Sequence, residues 1–346
     1  MGLELARNKL RVVILERSQA SSEASWAAAG MLAPTSEDHE HPALEALARA
    51  SGELYPEWLA ALRELYPSDV GYRTEGTLVV GFNEADSASL ASLPGEPLTA
   101  SELRRLEPAL SDRVASGAYL RNDHQVDNRR LMAALWEAAA RAGVSLRPLS
   151  EVRTLLFASG RVHGVQLADR SRMEADIVVD AAGAWAGRLG EPAARLAPTR
   201  PVRGQMLSLR AEPTLLRHVI RSPRAYIVPR AGGHLVVGST MEHAGYDKSV
   251  TPAGLTGLLA GAREILPGAA ELAFVESWAG LRPDTPDHLP ILGATDLENF
   301  YVATGHFRNG ILLAAITARL MAEAILGKTP SLPLEPFSPL RFVAGS

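Results

Sequence analysis

Residues 10–16 read LRVVILE. A short apolar run rich in β-branched residues and closed by an acid is the pattern of a buried parallel strand. Before it, GLELARN at 2–8 reads as the last turns of a helix, with Lys9 and Leu10 turning the chain. A strand entered straight from a helix implies a partner strand on the far side of that helix, as in a βαβ unit. That first strand and its glycine-rich turn are not in the sequence, so Met1 is expected to fall inside the first helix. Glu16 closes the run. In dinucleotide-binding folds an acid there accepts hydrogen bonds from ribose hydroxyls; an exposed acid opening a loop is the other reading.

Further along, residues 24–33 (ASWAAAGMLA) are small and apolar. Leu44, Leu47, Leu54, Trp58, Leu62 and Leu65 fall near one face of a helix over 42–66. Residues 77–82 are strand-like, and Asp127 or Asn128 caps a helix through Ala142, ended by Gly143. A meander is expected at about 151–158, 161–167 and 173–180, ending in IVVDAAGAW at 177–185. AYIVP at 225–229 and HLVVGST at 234–240 form a hairpin, and Thr251-Pro252 opens a helix to about Leu266. Strands at 272–280 and 299–304, a helix at 309–326 and an irregular tail after Gly327 complete the chain. The order predicts an α/β fold: a doubly wound dinucleotide-binding domain lacking its first strand, interrupted by an antiparallel-sheet domain. The expected division is 1–40, 125–195 and 280–346 for the first, and 41–124 and 196–279 for the second.

The 346 residues are 47% hydrophobic and 21% charged, with a net charge of −4 and no basic block, which argues against a nucleic-acid partner. No apolar run reaches the roughly 18 residues of a membrane span, and no signal-peptide pattern appears. A cytoplasmic protein with no membrane partner is expected. The absence of cysteine excludes disulfides, thiolate catalysis and a flavin tethered through sulfur.

Two stretches carry the chemistry: WAGLRPDTPDHLPILG at 278–293 and GHFRNGILL at 305–313. Each sets an arginine, Arg282 or Arg308, in a turn near a glycine. A guanidinium forks onto a carboxylate at any working pH; the alternative is an ordinary surface arginine. Asn309 and Gly310 leave the first N–H groups of the following helix open to an electron-rich ligand. The small residues of AAAGM (27–31) and VDAAG (179–183) suit either close backbone approach to a flat ligand or tight packing. Val152 is either a core valine or a backbone contact for an adenine. Tyr226 is either a core phenol or a donor to a substrate carboxylate. His288 and His306 are not assigned as bases. No HExxH, GxSxG or metal-ligand spacing occurs.

Taken jointly, AAAGML (27–32), YIVPR (226–230), HLVVGSTM (234–241), WAGLRP (278–283) and GHFRNGILL (305–313) resemble the FAD-dependent amine and D-amino acid oxidase family, most closely its glycine oxidase branch of the thiamine pathway. The resemblance implies that Arg282 binds the substrate carboxylate, with Tyr226 and Arg308 assisting and Met241 lining the pocket. It implies Glu16 and Arg17 at the FAD ribose, and Val152 at the adenine. Ala29, Gly30 and Met31 would lie along the isoalloxazine, as would His306, Phe307, Arg308, Asn309, Gly310, Ile311 and Leu312; Gly183 would approach the cofactor closely. It further implies non-covalent FAD, a small amino-acid substrate, a homo-oligomer, and oxidation of glycine or a small amine such as sarcosine to the imine. O2 would be the acceptor and H2O2 the product. A larger D-amino acid, another acceptor, or a flavin-free inactive chain are the alternatives. The family begins with a strand and GxGxxG that hold the pyrophosphate. Neither is in this sequence, so FAD binding is expected to be weak.

Overall fold

The structure, a computed structural model, describes residues 1–19, 22–35 and 41–343. The helix Gly2–Arg7 leads into the strand Val13–Leu15, which pairs in parallel with Ser145–Arg147 and with no other strand among the described residues. Val13 is 44% exposed, whereas parallel strands ordinarily bury both faces. A second parallel pair joins Val178–Asp180 to Phe300–Thr304, which takes Ile291–Ala294 antiparallel on its other side.

Against these parallel pieces pack Asn128–Arg141, Pro42–Leu65 and Ala314–Ile325, sharing one apolar core. The helix over 42–65 buries Leu44, Leu47, Leu54 and Leu62, the face read from their spacing, with Trp58 and Leu65 partly buried. Each fully buried leucine contributes about 1.5–3 kcal/mol. Asp127 caps the helix at 128, accepting from the N–H groups of Arg129 and Arg130 at 3.1 Å. Among the described residues no helix is long and apolar enough to cross a membrane. The expected boundary at 40/41 falls on residues 36–40, outside the described residues.

Eight strands form the large sheet, in the order Ala273–Asp284, Arg200–Arg210, His234–Gly238, Tyr226–Pro229, Val219–Arg221, Thr77–Gly81, Ser116–Leu120 and Glu96–Thr99. It is antiparallel except where Val219–Arg221 runs parallel to Thr77–Val79. Those two strands come from distant parts of the chain, so no tight turn imposes the antiparallel sense.

Three elements differ from their reading in sequence. The third leg of the meander is two strands: Arg172–Glu174 stays with Arg161–Leu167, and Val178–Asp180 leaves it for Phe300–Thr304. The strand expected to stop at 280 runs on to Asp284, because Arg200–Arg210 pairs with it as far as Arg200 opposite Asp284. Arg282 therefore lies within a strand and not in a turn. The last helix begins at Ala314 rather than 309. Ser51, on the helix Pro42–Leu65, reaches the start of this last helix, its hydroxyl donating to the Leu312 carbonyl at 2.6 Å and receiving the Ile316 N–H at 3.4 Å in place of the direct helical bond.

Candidate active site

Strand register brings the recognition residues to one face of the large sheet. Arg282 is opposite Val202, Gly280 opposite Gly204, and Trp278 opposite Met206. Met206 is in turn opposite Gly238, and Gly238 opposite Tyr226. Directly opposed residues share a face, so Arg282, Gly280, Gly204, Met206, Gly238 and Tyr226 point the same way. The glycines make a low floor. A Cβ on Gly204 would lie 2.3 Å from Arg282 Nη1, one on Gly238 2.3 Å from the Tyr226 hydroxyl, and one on Gly280 2.5 Å from the Ala27 Cβ. The guanidinium and the phenol thus lie flat on strand backbone.

Arg282 Nη2 donates to Ser239 Oγ at 2.6 Å and Nη1 to the Thr240 carbonyl at 3.2 Å. The Tyr226 hydroxyl reaches Met206 Sδ at 3.5 Å. Both side chains therefore converge on the patch made by Gly204–Met206 and Gly238–Thr240. The Phe307 N–H donates to the Pro283 carbonyl at 2.9 Å, which ties the 305–310 turn to the strand end beside Arg282. Arg308 stands exposed in that turn, and Met241, 56% exposed, follows the hairpin.

The opposite face carries a network that sequence reasoning missed. Arg203 pairs with Glu242 at 2.5 Å and Asp247 at 2.6 Å, Gln205 donates to Glu242 at 2.7 Å, and the Thr240 hydroxyl accepts from the Gln205 N–H at 2.8 Å. It fixes residues 240–242 from beneath, and so the acceptor that Arg282 uses at Thr240. The alternation of Arg203 and Gln205 about Gly204 was the available signal.

On the other side of the site, Ala29 is buried and Gly30 has φ of +70°. A Cβ on Gly30 would fall 2.0 Å from the Val126 carbonyl, so only glycine fits. Met31 pairs with Gln125, and the Gly30 carbonyl accepts from the Val126 N–H at 2.9 Å. Asn128 Nδ2 donates to the carbonyls of Ser25 and Trp26, both at 2.8 Å. Glu16 follows the strand as expected; its Oε1 accepts from the Ser18 N–H at 2.9 Å and hydroxyl at 3.1 Å. Arg17 pairs with Glu23 at 2.6 Å and lies 3.9 Å above the Trp185 ring. Val152 opens a strand opposite Leu167 and packs on an apolar cluster. Gly183 has φ of +60°, and a Cβ there would meet no protein atom. Its left-handed backbone, rather than crowding by the protein, selects glycine.

His306 bonds Thr317 at 3.0 Å through Nε2, and burial pulls its imidazole down to about 4, so it is neutral at working pH. Phe307, at φ of +47°, stacks on His288. The Asn309 N–H returns to the His306 carbonyl and the Leu313 N–H to the Asn309 carbonyl, both at 2.8 Å. Among the described residues nothing accepts from the N–H groups of Gly310, Ile311 and Leu312, and Leu313 supplies no side-chain cap. The open amides read from Asn309-Gly310 are present, one turn ahead of the helix itself. Asp180, buried at the end of its strand, is pushed up to about 6 by burial, against one hydrogen bond from the Ala182 N–H.

Two of these features fit a flavin, the open amides for an electron-rich ring edge and the acid at the end of a parallel strand, whereas the glycine at 30 is required by packing against Val126 and Arg230. The fold and the site define an FAD-dependent oxidoreductase. The family model described as FAD dependent oxidoreductase matches residues 1–324, and the chain belongs to that family. It is 37% identical over 99% of its length to the bifunctional protein ThiO/ThiG of Synechocystis sp., covering 51% of that protein. It is 36% identical over 99% of its length to the glycine oxidase of Geobacillus kaustophilus, covering 94% of it. The crystal structure of glycine oxidase from Geobacillus kaustophilus superposes with a TM-score of 0.93 at 35% identity, over 98% of this chain and 94% of that one. The chain spans about half the length of the bifunctional relatives it matches.

Proposed function

We propose that this chain, with FAD bound, oxidises glycine or another small amino acid such as sarcosine to the imine, with O2 as acceptor and H2O2 as product, in the service of thiamine synthesis. The observation that carries the reading is the convergence of Arg282 and Tyr226 on one glycine-floored patch beside the 305–312 turn. FAD, when bound, would supply the redox chemistry, a two-electron acceptor between the substrate α-carbon and O2, with the second proton of H2O2 drawn from solvent. The protein positions the substrate and excludes water. Arg282 takes the carboxylate, Tyr226 donates to it, and Arg308 closes over it from the turn. The glycine floor leaves height for a small substrate, with Met241 at the edge. Ala29–Met31 and Phe307–Leu312 would flank the flavin ring, and Glu16, Arg17, Val152 and Gly183 would hold the adenosine half. The amides of Gly310–Leu312 would favour negative charge on the ring. No side-chain base is needed, because the amine gives up its own proton to solvent before oxidation; the rate is expected to rise with pH as the bound amine deprotonates. The parallel pieces and the large sheet would act as cofactor and substrate domains, respectively.

The test is turnover of glycine, sarcosine, D-alanine and ethylamine, read as peroxide and as reduction of a dye acceptor. Glycine and sarcosine are expected to give peroxide and ethylamine none, since an uncharged end offers Arg282 nothing to pair with. Equal turnover of ethylamine and glycine refutes the carboxylate clamp, and dye reduction without peroxide refutes O2 as acceptor.

A further inference from the structure

Arg230 directly follows the strand Tyr226–Pro229, and it is 8% exposed. Its guanidinium crosses to the segments around Gly30. Nη1 donates to the Val126 carbonyl at 2.6 Å and to Gln125 Oε1 at 3.4 Å, and Nη2 donates to Asn128 Oδ1 at 3.2 Å and to the Ala29 carbonyl. No carboxylate pairs with it among the described residues. Asp127, the acid whose charge acts on it, is turned to the helix N-terminus, accepting from the N–H groups of Arg129 and Arg130. Burial pulls the guanidinium down to about 10, so it remains a cation at neutral pH. A buried cation with no paired carboxylate is costly unless neutral oxygens satisfy its donors, and here two segments distant in the chain, 125–128 and Ala29, provide them.

We propose that Arg230 is a positioning residue: it fastens the Tyr226 strand to the Ala29–Met31 segment and so sets the gap between the substrate clamp and the cofactor face. The inference rests on the reading of Ala29–Met31 as that face. Tyr226 and Arg230 are at opposite ends of one four-residue strand and its following residue, so the phenol is referred to the Gly30 backbone through a rigid element. Trp278 makes a second fastening from the edge strand of the same sheet, its Nε1 donating to the Ala27 carbonyl at 2.9 Å. The planar fork reaches acceptors on both sides of Gly30, which a lysine ammonium cannot do.

The experiment compares the holoenzyme with Arg230→Lys and Arg230→Gln, by hydrogen exchange and by steady-state kinetics with glycine. The Val126 amide, bonded to the Gly30 carbonyl, is expected to exchange about tenfold faster in both variants, because the local opening no longer breaks the guanidinium bonds. Misplacement on the ångström scale is expected to lower kcat by about 10- to 100-fold while KM for glycine stays within about threefold, since Arg282 and its acceptors are untouched. Unchanged exchange at Val126, or a KM that rises while kcat is kept, overturns the proposal. If Arg230→Gln does not fold, Arg230→Lys carries the same two readouts. Should wild-type protein show flavin but no glycine turnover, the functional reading fails and the exchange measurement still decides whether Arg230 makes the joint.

Discussion

Replacing Gly204 by alanine tests the clamp without touching either clamp residue. A Cβ at 204 would lie 2.3, 2.5 and 2.6 Å from Arg282 Nη1, Nη2 and Cζ, where ordinary contact begins at 3.4 Å. The guanidinium must retreat by about 1 Å, and it can, being the end of a flexible side chain. The bond to Ser239 Oγ at 2.6 Å does not survive that shift, nor does the alignment with a bound carboxylate. Losing one charge-assisted hydrogen bond costs about 1.5–3 kcal/mol. KM for glycine should therefore rise by about 10- to 150-fold. The backbone effect runs the other way: alanine is preferred to glycine inside a strand by about 0.5–1 kcal/mol. Tm should hold or rise slightly while KM climbs, a combination that general damage does not produce. Gly268→Ala is the control, since a Cβ there meets nothing within 4 Å. Steady-state kinetics and a thermal melt suffice, and a Gly204→Ala variant with KM within about twofold of wild type would falsify the placement of Arg282.

Arg282→Lys keeps the charge but not the fork, and should lose about 1.5–3 kcal/mol of substrate binding with flavin content unchanged, measured by KM and absorbance at about 450 nm. Tyr55 donates to the Ile311 carbonyl at 2.6 Å from a fully buried position. Tyr55→Phe should cost about 1–3 kcal/mol in urea unfolding, and an unchanged midpoint would exclude that bond as a support of the open turn. Asp180 and His306 should give opposite stability–pH slopes. Burial holds the folded-state pKa of Asp180 up at about 6, so its stability contribution is full below about 4 and is lost as pH rises through 6; Asp180→Asn should remove that loss, on the order of 3 kcal/mol. His306 is depressed to about 4, so its contribution is present above about 6.5 and is lost as pH falls through 4; His306→Gln should flatten the acid limb. Unfolding midpoints from pH 4 to 8 check both, and parallel slopes in either variant and wild type refute the assignment.

What the sequence determined by itself was local. The β-branched run ending at Glu16 could only be satisfied by a sheet partner, and it has one in parallel at 145–147. The leucine spacing over 42–65 required a buried helix face, Asp127 a cap, and Asn309-Gly310 a set of amides that find no acceptor among the described residues before the last helix. Each follows from backbone geometry within a few residues, which periodicity and capping chemistry report directly. The identities of Arg282, Tyr226 and Gly30 were legible because they stand in short motifs. Their mutual placement was not. Register across four strands put Arg282 and Tyr226 on one face, and long pairing with Arg200–Arg210 drew Arg282 out of a turn and into a strand. Gly204, Arg203 and Arg230 could be given no role locally: the alternation of Arg203 and Gln205 about Gly204 and the place of Arg230 in YIVPR are ordinary until their neighbours are known. Those neighbours lie 78, 39 and 201 residues away in the chain. Contacts of that range are set by how the sheets and helices pack, and only the tertiary structure decides them.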